Sequence, residues 1–404
     1  MWIPSWLRFT RPASSRASSR RPRRHRPCLE QLEGRSLPAA YTAASVPDLI
    51  ADINAANLAG GDNTITLAPG TTFTLTAPDN WTEGETGLPA IAVNDTLTIV
   101  GNGDTIAGNG YLRLLAVNGG ATLTLQGLTL QGGSAAKGGA IYNQGSLGLD
   151  GVTVQQNAAT HGGGIWSSGS LTLKGSTVQN NVAWASWAPA EGGGIWSSGS
   201  LTLEGGTVQS NIAQGYPGEG GGIWSSGSLT LGGGTTVQNN LAAGSSGQDA
   251  YEFTRGNRTY LIPPGIGEDG LGGGLYVAGG TVNLTDVTLS SNTAQGGQGG
   301  SGVAYSLPGR DGGDGLGGGL FAESGTVTLV HVTVANNAAR GGAGGRGTNR
   351  NGQAHDGHPG VGKGGGLFRD AHATVSLDAF TQANVKNNVA STNSSNIYGS
   401  YTKS

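Results

Sequence analysis

The 404-residue chain has one cysteine and one methionine, and only 12% of its residues are charged and 6% aromatic. The lone cysteine, Cys28, excludes an intramolecular disulfide and any cysteine-based zinc site. A body without cysteine fits an exposed, oxidising location. Scarce charge excludes a charge-rich disordered chain. Apolar residues, at 36%, fall below the usual ~45–50%, which excludes one globule around a single large core. No run of 18 apolar residues occurs, so no transmembrane helix is expected. Proline is only 15, and glycine keeps no strict every-third spacing, which excludes collagen.

Positive charge is scarce except at one end. Residues 1–35 hold nine arginines against Glu30 and Glu33, leaving 13 basic and 23 acidic residues in 36–404, a net charge of −10. A body so acidic has no basic face for phosphates, so no nucleic-acid partner is expected. The Ser/Arg/Pro-rich segment 1–40 lacks periodicity and reads as a basic leader or export segment. Within it, Leu29-Glu30-Gln31-Leu32-Glu33-Gly34-Arg35 resembles the LExLExR leader of large extracellular bacterial repeat proteins. That resemblance implies export and an extracellular or cell-surface location.

What is abundant is glycine, at 77 residues, and it is arranged in repeats. Gly-Gly-(Gly/Ala)-(Ile/Leu)-aromatic recurs with its aliphatic residue at Ile141, Ile165, Ile195, Ile223, Leu275, Leu320 and Leu367. A second motif, (Val/Leu)-x-x-Asn-x-Ala, follows with its asparagine at Asn157, Asn181, Asn211, Asn240, Asn292, Asn337 and Asn388. Six of the seven intervals from aliphatic to asparagine are 16 or 17 residues, whereas the return intervals run from 8 to 35. One half of the unit is constant and the other takes every insertion. Short alternating runs such as Leu171-Thr172-Leu173 and Thr177-Val178-Gln179, with no helix between them, predict strands. The fold class expected is all-β: a parallel β-helix of about ten coils, three strands each, with coils stacked about 4.8 Å apart.

Within 41–404, residues 45–60 read as a capping helix: Ser45-Val46-Pro47-Asp48 has the capping-box pattern, and Val46, Leu49, Ile50 and Ile53 have helical spacing. Residues 62–130 read as irregular N-terminal coils and 131–400 as the regular repeats. The asparagines are expected to form a ladder at one corner, tolerating left-handed backbone angles there. Glycine-rich segments 243–270, 295–316 and 340–363 are expected to emerge from one edge, and deleting 340–363 is expected to leave the β-helix intact.

Gly138-Gly139-Ala140-Ile141 with Val154-Gln155-Gln156-Asn157 resembles the paired GGAI and FxxN repeats of polymorphic outer membrane proteins. That family implies an extracellular right-handed β-helix of the pectin-lyase-like kind, often an adhesin passenger. Val or Leu stands at every FxxN phenylalanine, and no C-terminal β-barrel is expected.

Candidate chemistry is sparse. The acids of the regular strands, Asp150, Glu204, Asp286, Glu323 and Asp378, occupy different repeat positions and show no pairing for polysaccharide cleavage. The expected function is therefore an exported structural or adhesive protein without catalysis; the alternative is a carbohydrate-active enzyme or glycan-binding module. Calcium is weighed because Gly265–Leu271 and Gly309–Leu316 each resemble the calcium nonapeptide with one mismatch; no other cofactor is indicated. His355 and His358 are read as solvated loop residues rather than zinc ligands. An aromatic follows each inward aliphatic residue, at Tyr142, Trp166, Trp196, Trp224, Tyr276, Phe321, Phe368 and Tyr398, and alternation turns it outward. Such a column either stacks on sugar rings or lies under the insertions. The candidate ligand site joins Trp166, Trp196, Trp224 and Tyr276 to Tyr251, Arg255 and Arg258 of the first long insertion, with a surface polysaccharide or another protein as partner.

Overall fold

Each regular repeat winds once around a shared axis, and a computed structural model describes this for residues 39–403. The basic leader and Cys28 lie outside the described residues. In the coil that begins at Ile165, short strands run Ile165–Ser167, Ser170–Lys174, Thr177–Gln179, Val182–Trp184 and Ala190–Glu191. A coil thus has five strand pieces, not the three expected. Successive coils pair in parallel and in register: Leu171 lies beside Leu147 and Leu201, and Val178 beside Val154 and Val208. Ten strands stack in the second sheet, and the fold is a parallel β-helix.

The core follows from alternation. Ile165, Leu171, Leu173 and Val178 point inward and are fully buried, as are their equivalents in other coils. Full burial of each such side chain contributes roughly 1.5–3 kcal/mol, so the thin core gains by repetition rather than width. The N-terminal coils continue the same register, with Asp95–Val100 beside Thr122–Gln126. Helix Val46–Ala59 covers the first coil with Leu49, Ile53 and Ala56; the Ser45 hydroxyl accepts the Asp48 N–H at 3.3 Å. At the far end, Ile397–Tyr398 pairs with Leu367–Phe368.

The seven asparagines are buried and linked. Each Nδ2 donates to the Oδ1 of the next at 2.9–3.0 Å, from Asn157 through Asn388 and on to Asn396. Each also donates to a carbonyl of the preceding coil, as Asn181 does to Val154 at 2.9 Å. The left-handed backbone angle falls one residue earlier than expected, at Gln156, Asn180, Ser210, Asn239, Ser291, Asn336 and Asn387 (φ 54–59°). The asparagine itself supplies the amide, and its predecessor makes the corner.

The long insertions are not loose loops. Between the short strands at their ends, the outgoing and returning arms bond backbone to backbone with the next insertion: Gly247 to Gln298, Gly299 to Ala343, Gly302 to Arg346 and Gly312 to His358. The glycines at these contacts recur every third residue, as in Gly296, Gly299 and Gly302 or Gly309, Gly312 and Gly315. Three is the repeat of an extended polyproline II chain, which turns the same side toward its neighbour at every third residue. A Cβ at Gly345 would overlap the Gly300 carbonyl, so only glycine lets these backbones meet. The segments therefore form a second packed layer in which each arm satisfies its neighbours' amides. The segments expected as loops are thus bonded to one another, from one insertion to the next.

Candidate functional site

The outward aromatics form one continuous stack. From Tyr142 through Trp166, Trp196, Trp224, Tyr276, Phe321 and Phe368 to Tyr398, neighbouring rings lie 4.5–6.3 Å apart and within 11° of parallel. Strand pairing sets this, since Trp166, Trp196 and Trp224 are directly opposed in register. The ring faces are spent on one another, and Trp166 and Tyr276 are buried. Sugar stacking on the faces of this column is therefore closed; only ring edges remain.

Along those edges runs one residue per coil, five positions before each of the first seven aromatics: Lys137, His161, Glu191, Glu219, Leu271, Leu316 and Lys363. From Glu191 to Lys363 these lie on two-residue strands that pair in register. His161 and Lys137 extend the row by isolated bridges. Glycine makes room for it: Gly192, which begins its triplet, holds φ 63°. The cover changes along the stack. Lys137 Nζ sits 5.1 Å over Trp166 and Lys363 Nζ 5.0 Å over Tyr398. Leu271 and Leu316 pack against Tyr276, Phe321 and Phe368.

Between them lies a carboxylate pair. Trp196 Nε1 donates to Glu191 Oε2 at 2.7 Å, and Trp224 Nε1 donates to Glu219 Oε2 at 3.0 Å. The two indoles are 4.9 Å apart and 5° from parallel, so each carboxylate is held by its own ring at the coil spacing. His161 Nδ1 lies 3.1 Å from Glu191 Oε2, outside hydrogen-bond alignment. A third carboxylate, Glu323, accepts the Tyr276 hydroxyl at 2.9 Å. Burial pushes the Glu219 carboxyl up to about 7; the Trp224 bond opposes this, while Glu191 and Glu323 reinforce it. Burial, then the charge of Glu219, likewise raises the Tyr276 hydroxyl.

Beside the pair, two short loops expose aromatics. Trp184 and Trp187 are 57% and 77% exposed, and Trp187 stands 5.3 Å from the ring of Tyr216. Trp187 precedes Glu191 by four residues and Tyr216 precedes Glu219 by three. The Tyr216 N–H donates to the Ala188 carbonyl at 2.9 Å, tying the loops together.

The expected site separates into two places. Tyr251, Arg255 and Arg258 lie on an exposed hairpin, Tyr251–Arg255 with Arg258–Ile262, and no ring contact or side-chain hydrogen bond joins it to the column among the described residues. The calcium expectation meets a different use of its residues. Asp269 Oδ1 accepts the Asp314 N–H at 2.6 Å, and Asp314 Oδ1 accepts the Val361 N–H at 2.8 Å. These aspartates staple one insertion to the next, and no cluster of three metal-ligating side chains occurs among the described residues. Asp311 likewise accepts the His358 N–H at 2.6 Å.

No protein-family model matches the chain, and no curated protein matches it in sequence. Among solved structures, the catalytic domain of a GH87 alpha-1,3-glucanase in complex with tetrasaccharides is similar to it, at 12% identity and a TM-score of 0.20. The match covers 90% of this chain and 66% of that domain, so the chain spans just under two thirds of its length. The expectation of a structural or adhesive protein without catalysis is corrected. Within this chain, the premise of that expectation fails, because acidic residues of adjacent coils do align, at Glu191 and Glu219. No helix among the described residues is long and apolar enough to cross a membrane.

Proposed function

We propose that the protein is carbohydrate-active, cleaving a neutral polysaccharide at the Glu191–Glu219 pair. The observation that carries this reading is the pair itself: two carboxyl groups in register, each anchored by an indole N–H, with Glu219 raised to about 7. Glycoside cleavage needs one carboxyl protonated at working pH to serve the leaving oxygen and a second one ionised. Burial assigns the acid role to Glu219, and Glu191, nearer to His161, takes the carboxylate role. The pair sits on neighbouring coils, whose strands are about 4.8 Å apart. Trp187 and Trp184 supply exposed rings for the sugar's apolar face, with the half-buried Tyr216 ring against Trp187. With Glu219 protonated, Glu191 and Glu323 remain as acids on this face, which disfavours uronic acids and favours a neutral chain. Action on a polysaccharide agrees with an extracellular or cell-surface location, which we propose from the leader-like segment and the GGAI-type motifs.

The test is release of reducing ends from a panel of neutral polysaccharides by the full chain. Cleavage of at least one, lost on Glu219→Gln and on Glu191→Gln, supports the reading. No release from any, or release that both substitutions leave unchanged, overturns it.

A further inference from the structure

The hairpin at the tip of the first long insertion is unlike the rest of the molecule. Tyr251–Arg255 and Arg258–Ile262 pair only with each other, antiparallel, and all but Ile262 are exposed. A two-stranded hairpin alone is at best marginally stable in water. Its faces differ because directly opposed residues share a face. One carries Tyr251 with Ile262, Phe253 with Tyr260, and Arg255 with Arg258; the other carries Glu252 with Leu261 and Thr254 with Thr259. Phe253 and Tyr260 stack at 5.3 Å and remain 42% exposed each.

The arginines are the informative residues. Like charges directly opposite on paired strands are destabilising. Here two guanidinium groups face each other beside the turn, and neither enters an ion pair among the described residues. The hairpin's one acid, Glu252, lies on the other face. Repulsion that the fold leaves uncompensated is relieved by an anion from outside, and guanidinium forks suit carboxylate or sulfate. Adjacent apolar rings suit a polymer whose anions are carried on rings. The net charge of −10 in residues 36–404 opposes the dense phosphates of a nucleic acid more than a sparsely charged chain.

We propose that this face, Phe253, Tyr260, Arg255 and Arg258, binds an anionic polysaccharide and anchors the protein to it. The proposal rests on the carbohydrate reading for the class of polymer, and on charge and geometry for the rest. The anchoring chain is distinct from the substrate, because the paired arginines favour an anionic chain whereas the acidic Glu191–Glu219 site favours a neutral one.

Affinity electrophoresis of the full chain in gels containing polygalacturonate tests this, with dextran and a double-stranded DNA fragment as separate gels. Retardation by polygalacturonate but not dextran is expected. Arg255→Gln with Arg258→Gln should weaken it by about tenfold or more, the scale of losing charge-assisted hydrogen bonds. Phe253→Ala should weaken it with the arginines intact, and the double lysine variant should restore part of it. Glu219→Gln should leave retardation unchanged, so failure of the catalytic reading and failure of this one are told apart. Absent retardation, retardation that the arginine substitutions do not reduce, or equal hairpin-dependent retardation by DNA would each overturn the proposal.

Discussion

Glu191 and Glu219 share one row, one backbone geometry and one stack of rings with Leu271 and Leu316, yet the two halves do different work. Above the leucines, Tyr276, Phe321 and Phe368 are sealed by apolar contact. Above the glutamates, the rings are tryptophans, and their N–H groups bind the carboxylates. Under Glu191 and Glu219 the ring is an indole with an N–H to offer, whereas under Leu316 it is a phenyl with none. A solenoid thus places chemistry by changing one residue per coil while strand pairing holds position constant. The carboxylate pair needs no special loop to aim it; the stacked rings aim it.

Exchanging chemistry between the halves should break the comparison. The largest effect expected is on activity: Glu219→Leu imports the cover of the apolar half and should lower glycan cleavage by roughly 10²–10⁴-fold, the range for a positioned acid. Circular dichroism should show the β-helix retained. The reverse exchange, Leu316→Glu, sets a carboxylate over Phe321, which has no donor to offer. It should cost about 1–3 kcal/mol in denaturant unfolding, because the half-buried carboxylate gains no partner. Asn211→Ala, which acts on both halves through the shared ladder, should cost a similar ~1–3 kcal/mol, since it orphans the Asn181 N–H and the Val178 carbonyl. An unchanged midpoint would remove the ladder from the account of stability.

A smaller effect concerns pH. The folded state raises Glu219 from 4.5 to about 7 and therefore holds its proton more tightly than the unfolded chain does. Its contribution to stability is full below about pH 4.5 and is lost as pH rises through about 7. Melting temperature should fall across that window in the wild type and fall less in Glu219→Gln. An identical slope in both would show that Glu219 is not the group responsible.

Alternation exposed the aliphatic stacks, the outward aromatics and the asparagine column directly in the sequence, because those residues lie in the half of the repeat with constant length. Glu191 and Glu219 escaped notice because they lie in the variable half, where Trp187 and Pro189 or Tyr216 and Pro217 look like loop composition. Counting backward five residues from each aromatic is the signal that recovers them, and it recovers Lys137, His161, Leu271, Leu316 and Lys363 as well. The insertion layer was hidden by averaging. Coil glycines follow the repeat, insertion glycines follow a period of three, and the whole chain shows neither spacing cleanly. The corner residue was misplaced by one position because Gln156 and Ser210 are not residues that advertise a left-handed angle, whereas the asparagine after each does.

The central claim is that stacked indoles hold two interacting carboxyl groups, one of them protonated near neutrality. Site-resolved NMR titration of glutamate side-chain carbons, in the wild type, Glu191→Gln and Trp224→Phe, tests it most directly. The account predicts a Glu219 midpoint near 7 in the wild type. It predicts a lower midpoint in Glu191→Gln, where a neighbouring negative charge is gone, and a higher one in Trp224→Phe, where the stabilising N–H is gone. A wild-type midpoint near 4.5, unmoved by either substitution, would contradict it.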